Sequence, residues 1–363
     1  MFINTHLESR NNTSNCDLID KKINRVFSQF SIYNCKRHFM NLVFSYLSVN
    51  SFFKSGFIVL DRAQNARIVD LTGSNYLIRS TVFNGLSSNG GGAIYLSSIT
   101  CNIFIEYCLF NACFSTNNDG AVFVQIQQSS IIIDKTCAFY CYSKYGYDYM
   151  GQFGRIQVDN SNIIVCQYMS ITQCSPFSGH SSNTLILYGG NTSFIYSNSS
   201  KNYLYRHSGV DFVSGSGFYC GYSTLSNNVV VGWTVSRVFS HKGQYYLTNI
   251  VGNNSPDSRG IFLLDTATIK FDGCCIQKNL NTLFDIRTST SVTLLNCFVD
   301  SLSYLSSKPT TSNITITKYP TYSHIHYQDE FCHADNPIYE ISHSQKLRGF
   351  QGALIYVLEF ICM

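Results

Sequence analysis

The residues with metal-ligand chemistry cluster near the C-terminus, where His324 and His326 are followed by Cys332 and His333. Side chains two positions apart on a strand share a face, so two imidazoles with this spacing could hold one ion. The segment is flanked by prolines, and the alternative is that these are surface side chains of an irregular stretch. We therefore predict no metal and no cofactor, with His324 and His326 as the candidate ligands if a metal is bound.

Acidic residues are the second group that could carry chemistry. Cleavage of a polysaccharide by a glycosidase needs carboxylates about 5–9 Å apart on one face, yet Asp and Glu together number only 21. Asp265 and Asp285, 20 positions apart, could stack on neighbouring repeats, or each could be an isolated turn aspartate. We predict no catalytic residue; the candidates considered are Asp119, Asp134, Asp148, Asp159, Asp211, Asp265, Asp272, Asp285 and Asp300.

A third group is aromatic. The stretch from Tyr142 to Phe153 places Tyr142, Tyr145, Tyr147 and Tyr149 close together. Such side chains could form an exposed ledge that binds a glycan or a protein partner. The alternative is a loop whose tyrosines pack over the end of a repeat.

The composition excludes several classes of function. The 363 residues are 45% apolar and 15% aromatic but only 13% charged, so the chain can form a core and presents a weakly charged surface. The net charge is +4 without a long basic run, and we predict no nucleic-acid partner. A hydroxyl-rich, weakly charged surface is typical of extracellular or lumenal proteins.

Cysteines and sequons bear on the cellular compartment. The 15 cysteines form no Cys-x-x-Cys pair, which argues against a zinc ribbon, and the odd count leaves at least one thiol unpaired within the chain. Some could form disulfides in a secreted protein, while others could be small core residues. Glycosylation triplets favour secretion and begin at Asn11, Asn12, Asn191, Asn198, Asn253 and Asn313.

The two ends contain no clear targeting element. The first residues contain no apolar core of a signal peptide. The final stretch from Ala353 to Met363 is apolar apart from Glu359 and is too short to cross a bilayer, which needs about 20 residues. This stretch is either a buried final strand or the remaining part of a truncated membrane anchor.

The elements that must position these residues repeat along the chain. The run that starts at Gly92 recurs at Gly120, 28 positions later, with the same alternation of apolar side chains. The surrounding units align Phe83 with Phe110 and, in a looser third copy, with Phe139. Near the C-terminus, "TIKFDGCC" aligns with "SVTLLNCF" at a step of 23.

Repeats of this length with short strands predict an all-β, right-handed parallel β-helix with coils of roughly 22–29 residues. One coil cannot bury its apolar face, but stacked coils share a continuous core. We expect glycine and asparagine at the corners, where left-handed backbone angles are needed. The predicted organisation is a cap or irregular first coils over 1–60, the β-helix over 61–305, and an irregular C-terminal segment over 306–363.

Three stretches carry a resemblance to a known family: "GGAI" at Gly91–Ile94, "CLFNAC" at Cys108–Cys113 and "KTCAFYCYS" at Lys135–Ser143. They resemble the repeats of the polymorphic outer-membrane-protein-like β-helix surface proteins of the trichomonad type. The resemblance covers about residues 65–305. It implies a surface-exposed or secreted protein with an adhesive role, and it supplies no catalytic residues.

Together these observations favour a non-catalytic cell-surface or secreted protein that acts as an adhesion or interaction surface. Its partner would be a glycan or a host or cell-surface protein. One alternative is a polysaccharide lyase or glycosidase on the same scaffold. The other is a structural coat protein that associates with itself.

Overall fold

The computed structural model describes residues 58–61, 66–69, 75–144, 150–174, 183–255, 259–265, 268–287, 290–301, 310–312 and 314–316. These residues belong to one compact unit, 53–338. Their regular structure is all β, without a helix, and the strands pair in parallel as a β-solenoid whose coils lie about 26 residues apart. The predicted all-β parallel β-helix is confirmed.

Three long sheets run along the solenoid. Sheet 1 has eleven described strands: β1 (Ile58–Asp61), β3 (Asn75–Arg79), β7 (Asn102–Glu106), β11 (Ile131–Asp134), β15 (Ile163–Gln167), β18 (Asn191–Ile195), β22 (Gly217–Gly221), β26 (Lys242–Tyr246), β29 (Thr268–Asp272), β32 (Ser291–Leu295) and β34 (Thr310–Ser312). Sheet 2 has nine: β2 (Ile68–Val69), β6 (Ile94–Ile99), β10 (Val122–Ile126), β14 (Gly151–Gln157), β17 (Asn183–Tyr188), β21 (His207–Ser214), β25 (Ser236–Ser240), β28 (Phe262–Asp265) and β31 (Phe284–Ile286).

Sheet 3 and two small sheets complete the coils. Sheet 3 has ten described strands: β4 (Val82–Asn84), β8 (Leu109–Asn111), β12 (Cys137–Phe139), β16 (Ser170–Thr172), β19 (Asn198–Ser200), β23 (Thr224–Ser226), β27 (Asn249–Val251), β30 (Cys275–Gln277), β33 (Phe298–Val299) and β35 (Thr315–Ile316). The small sheets are β5 (Ser87–Gly90), β9 (Phe114–Asn118) and β13 (Tyr142–Ser143), and β20 (Tyr203–Leu204) with β24 (Val229–Val230).

The register confirms the repeat that the sequence predicted. Ile94 pairs with Val122, 28 positions later, and Ile269 pairs with Val292, 23 positions later. Several steps fall outside the predicted range of 22–29 residues: Ile58 pairs with Tyr76 at a step of 18, Ile131 with Ile164 at 33, and Thr293 with Thr310 at 17. Coil length varies because corners absorb insertions while the sheets keep their pairing.

The strand stacking continues past the predicted boundary at residue 305. Thr310–Ser312 pairs with β32, and Thr315–Ile316 pairs with β33. The remainder of the predicted C-terminal segment, and residues 1–57 of the predicted cap, lie outside the described residues.

One alignment of the third repeat is wrong by one residue. Phe83 pairs with Phe110 as predicted, and their rings stack at 4.8 Å between centroids. Phe110 then pairs with Ala138, while Phe139 pairs with Asn111. A shift of one residue turns a strand side chain to the opposite face of the sheet. Phe139 accordingly packs in a small separate cluster rather than in the main core.

Corners use glycine less often than predicted. Left-handed angles occur at Tyr168, Tyr196 and Tyr222, with φ of 50°, 49° and 50°. The repeated Gly120 is not among the positive-φ residues that the structure describes; a Cβ there would collide with the carbonyl oxygen of Gln152 in the next coil. Close backbone approach therefore requires this glycine.

Polar residues also form an interior column that the sequence analysis did not identify. Asn202, Asn228, Asn253 and Asn279 occupy the same buried position in four successive coils. The side-chain amides of the first three each donate to the carbonyl oxygen of the next asparagine side chain, at 3.0, 3.2 and 3.1 Å in turn. In the preceding coil the backbone N–H of Cys174 donates to the side chain of Asn202. This asparagine ladder satisfies backbone groups where the chain turns inside the protein.

Removal of one rung should destabilise the solenoid. Asn228→Ala removes the acceptor of the backbone N–H of Asn202, one acceptor of its side-chain amide, and the bond to the carbonyl of Ser199. Because each unsatisfied buried group costs roughly 1–3 kcal/mol, we expect the free energy of unfolding in urea to fall by about 2 kcal/mol or more. The exposed Asn117→Ala is the control. Equal losses in the two variants would show that the ladder has no special role.

Candidate functional site

The predicted tyrosine ledge lies only partly within the described residues. Tyr142 is half-buried and stacks on Phe114, with ring centroids 4.9 Å apart and planes 4° from parallel. Tyr145, Tyr147 and Tyr149 lie outside the described residues. For Tyr142 the geometry shows packing between neighbouring coils, and the ledge as a whole stays a prediction.

The candidate metal ligands His324 and His326 also lie outside the described residues. Within the part of the chain that the structure describes, no group of three or more His, Cys, Asp or Glu side chains could hold a metal ion. Ten described cysteines are reduced and buried, among them the adjacent Cys274 and Cys275.

The register fixes where the aspartates considered for catalysis lie relative to one another. Asp285 pairs with Leu263, two residues before Asp265 on the neighbouring strand, so the two half-buried aspartates are diagonal neighbours on adjacent coils and do not face each other directly. Four other candidates contact a lysine or a backbone N–H: Asp134 with Lys135, Asp272 with Lys270, Asp159 with the N–H of Gln128, and Asp300 with the N–H of Lys278. Asp148 lies outside the described residues.

Two carboxylates are deeply buried. Asp119 accepts a 2.7 Å hydrogen bond from the N–H of Gly151, and Asp211 accepts one of 2.7 Å from the N–H of Arg237. Burial raises the pKa of each to about 7, although nearby Arg155 and Arg237 respectively oppose the shift. A carboxyl group with such a pKa changes charge near neutral pH.

A row of tyrosines follows one corner of the solenoid. The rings of Tyr168 and Tyr196 stack at 5.1 Å, and those of Tyr196 and Tyr222 at 4.9 Å. A left-handed backbone costs a non-glycine residue roughly 1–2 kcal/mol, while an aromatic pair contributes about 0.5–1.5 kcal/mol. The stabilisation from stacking is comparable to the cost of the left-handed backbone. Packing within the protein therefore accounts for this row of tyrosines without a ligand.

The most exposed apolar side chains lie at another corner, beside β20 and β24. Strand alternation directs Leu204 into the core and leaves Tyr203 and Tyr205 outside. In the following coils Val231 and Leu280 are also outside, 42% and 56% exposed. These four residues, with the half-buried Trp233, are called the corner patch: Tyr203, Tyr205, Val231, Trp233 and Leu280.

The corner patch spans several coils. The N–H of Gly232 donates to the carbonyl of Tyr205, which places these residues on adjacent coils. A Cβ on Gly232 would lie 2.6 Å from the Tyr205 ring, so the absence of a side chain there lets the ring lie flat against the backbone. Tyr205 is 43% exposed in this position.

Arginines border the corner patch. The guanidinium carbons of Arg206 and Arg259 lie 5.0 and 3.9 Å from the Trp233 ring centroid, within the range of cation–π contacts. His207 meets the same ring edge-on at 5.9 Å. The chain therefore brings two cations and two aromatic rings together from three successive coils.

His207 is buried and neutral at this corner. Its Nδ1 lies 3.1 Å from the carbonyl oxygen of Thr234, which can only accept, so Nδ1 carries the proton. Burial lowers the pKa of His207 well below its usual value, and the charges of Arg237, Arg206 and Arg259 lower it further. Three arginine charges thus act on one buried imidazole.

The sequence analysis did not identify this corner. Arg206, Trp233 and Arg259 are separated by 27 and 26 positions, close to the coil length. That spacing indicates that the three residues lie at equivalent places in successive coils, but it can be recognised only after the coil boundaries are known. No short motif marks any of the three residues.

No protein-family model matches the chain, and no curated protein or solved structure matches it significantly. Among the described residues, no helix has the length and apolar character that crossing a membrane requires. The function is therefore argued from the described surface and from the sequence.

The buried carboxylates should make stability depend on pH. A carboxyl whose folded pKa is raised from its ordinary value to about 7 contributes stability in acid that is lost as the pH rises through 7. We expect Asp119→Asn with Asp211→Asn to gain stability relative to the parent between about pH 5 and 7. Urea unfolding at each pH measures this difference.

The variant has to be compared with the parent at each pH because His207 changes the pH dependence of stability in the opposite direction. Its lowered pKa costs stability as the pH falls through the ordinary histidine range. A difference between parent and variant that does not change with pH would contradict the assignment to Asp119 and Asp211.

Proposed function

We propose that this chain is a non-catalytic β-helix protein that binds glycans or proteins at a cell surface or after secretion, through the corner patch. The observation that carries the proposal is that exposed Tyr203, Tyr205, Val231 and Leu280 lie on one corner of the solenoid, spread over four successive coils. The solenoid supplies a rigid support on which residues from several coils keep fixed positions.

The composition of the corner patch supports binding. Tyrosine, tryptophan and arginine are the residue types that most often dominate binding energy at interfaces. Water-exposed apolar side chains that form one group, rather than scattered singles, mark interaction surfaces. Tyr205 and Leu280 are the most exposed members, at 43% and 56%.

Binding is proposed in preference to catalysis because of the carboxylates. Asp265 and Asp285 are offset by two residues on adjacent strands and do not face each other directly, and the other described aspartates discussed above contact a basic side chain or a backbone N–H. A glycosidase mechanism uses two carboxylates that face each other across a substrate. Turnover of a polysaccharide by the purified chain would decide for the enzymatic alternative.

The proposed location is supported by the resemblance to trichomonad-type surface β-helix proteins and by the sequons. It also yields a prediction about glycosylation. Asn191 is exposed, whereas Asn198 and Asn253 are 5% and 0% exposed. A glycan on Asn253 would disrupt the asparagine ladder.

After expression through a secretory pathway we therefore expect a glycan on Asn191 and none on Asn198 or Asn253. Peptide mass spectrometry of the folded, secreted protein measures the occupancy, and Asn191→Gln is the control. Retention of the chain inside the cell, or full occupancy of Asn253 in folded protein, would contradict the proposed export.

The adhesion experiment compares two matched double variants. Labelled full-length chain is applied to a glycan microarray and to intact cultured cells, with and without enzymatic removal of surface glycans. We expect Tyr205→Ala with Leu280→Ala to weaken binding at least about tenfold. The control is Tyr140→Ala with Phe239→Ala, which removes two side chains of similar exposure, 45% and 49%.

The outcomes separate the candidate functions. Sensitivity of cell binding to glycan removal assigns the partner to glycans, and insensitivity assigns it to proteins. Absence of binding to both surfaces contradicts the proposal. Concentration-dependent assembly in sedimentation velocity that the Tyr205 and Leu280 variant abolishes would instead support the structural coat protein.

A further inference from the structure

We infer that Cys274 and Cys297, stacked on neighbouring coils, form an oxidation site at which a small disulfide such as oxidised glutathione creates a disulfide bond between the two coils. The inference goes beyond the proposed function, because it concerns a covalent modification of the solenoid and not its binding surface. It is carried by the register of the two coils and by the contact between the two thiols.

Both cysteines lie at the corner that leads from sheet 1 into sheet 3. Cys275 pairs with Phe298, so the residues directly before them, Cys274 and Cys297, are stacked as well. The N–H of Phe298 donates to the carbonyl oxygen of Cys274 at 2.9 Å. Neighbouring strands lie about 4.8 Å apart, within the separation of roughly 4.4–6.8 Å between Cα atoms that a disulfide bridges. The backbone therefore needs no rearrangement to accommodate the bond.

The two side chains point into the core and contact each other. Both are fully buried members of the main hydrophobic core, and their thiols are hydrogen-bonded to each other. Cys274 also donates to the carbonyl oxygen of Tyr245, and Cys297 to that of Phe271, at 3.5 Å in each case. The two sulfur atoms are thus already neighbours in the reduced protein.

The fold does not require sulfur at this position. The preceding coils place hydroxyl groups there, on Ser197, Ser223 and Thr248. Thr248 donates to the carbonyl oxygens of Cys220 and Tyr246 at 3.1 Å, which are the counterparts of the bonds that the thiols make. Because a hydroxyl is a better donor than a thiol, hydrogen bonding does not account for two successive cysteines. Susceptibility to oxidation is the property that distinguishes a thiol from a hydroxyl.

The pair is also isolated. Thr248 precedes it and Ile314 follows it in the described part of this column, so no third thiol competes for either sulfur. At another corner Cys141 hydrogen-bonds both Cys113 and Cys174, and oxidation can link it to either one. The isolated pair can form only one bond within its column.

The two thiols differ in acidity. The hydrogen bond with Cys274 lowers the pKa of Cys297, whereas burial raises the pKa of Cys274 well above its usual value. The thiolate is the nucleophilic form of cysteine. Cys297 is therefore the first of the two to react.

The reaction is thiol–disulfide exchange. The thiolate of Cys297 attacks one sulfur of oxidised glutathione, whose S–S bond breaks, and one glutathione thiolate leaves. Cys274 loses its proton and attacks the Cys297 sulfur of the mixed disulfide, and the second glutathione thiolate leaves. Two protein thiols are oxidised, one glutathione disulfide is reduced, and the two protons end on the two glutathione thiols. Because both side chains are buried, exchange occurs while these coils fold or open locally.

The experiment maps disulfides in the full-length chain. Reduced protein is held in glutathione buffers of increasing oxidised fraction, without urea and in urea just below the unfolding transition. Free thiols are then blocked with iodoacetamide, and tryptic peptides are identified by mass spectrometry. We expect peptide 271–278 to be linked to peptide 288–318, in a proportion that rises with the oxidised fraction.

Variants assign the bond, because peptide 271–278 contains two cysteines. Cys274→Ser keeps a hydrogen-bond donor and should reduce the linked peptides at least tenfold. Cys275→Ser is the matched control, since Cys275 is equally buried but stacks on Phe298, and it should retain the link. Oxidised glutathione should raise the urea midpoint of the parent and of Cys275→Ser. It should not raise that of Cys274→Ser with Cys297→Ser.

Three results would overturn the inference. The first is absence of the linked peptides at every glutathione ratio, with and without urea. The second is a link that persists in Cys274→Ser and is lost in Cys275→Ser. The third is glutathione that stays attached to Cys297 without a protein disulfide, which would show that the two sulfur atoms do not meet. Each of these results leaves the proposed function standing, because that function depends on the corner patch.

Discussion

The structure depends on one constraint, which is that each coil must satisfy the backbone hydrogen bonds of the next in parallel register. Isolated coils leave the N–H and C=O groups of both edges unpaired and cannot bury their apolar face. Stacking satisfies both needs at once. It also aligns equivalent positions, so that a side chain at one position contacts its equivalents in the preceding and following coils.

The interior columns follow from this alignment. Where the chain turns inside the protein, the same backbone N–H and C=O groups need hydrogen-bond partners in every coil. One buried side-chain amide can both donate to and accept from such groups. Asn228 receives bonds from Asn202 and donates to Asn253, so each rung depends on both neighbours. Earlier in the chain this column is continued by cysteine, as the bond from Cys174 to Asn202 shows. The column thus changes residue type while it keeps its place in the fold.

On the outside, the same alignment brings surface residues of several coils together. Residues that lie far apart in sequence become neighbours at a spacing set by the strands, and no loop has to be held in place by a ligand. Arg206, Trp233 and Arg259 come together in this way. Inside the solenoid, Asp211 is fully buried, and that burial raises its pKa to about 7.

The amino-acid sequence by itself determined the fold class, because an apolar alternation that recurs near a constant step can bury its face only by stacking. It correctly paired Ile94 with Val122 and Ile269 with Val292. It misplaced Phe139 by one residue, since the apolar pattern there accommodates either register. Only the tertiary structure decided which exposed residues meet: coil lengths vary from 17 to 33 residues, so the pairing of a corner depends on the register of the strands around it. Arg206 and Arg259 are 53 positions apart and become neighbours of one tryptophan only after that register is set.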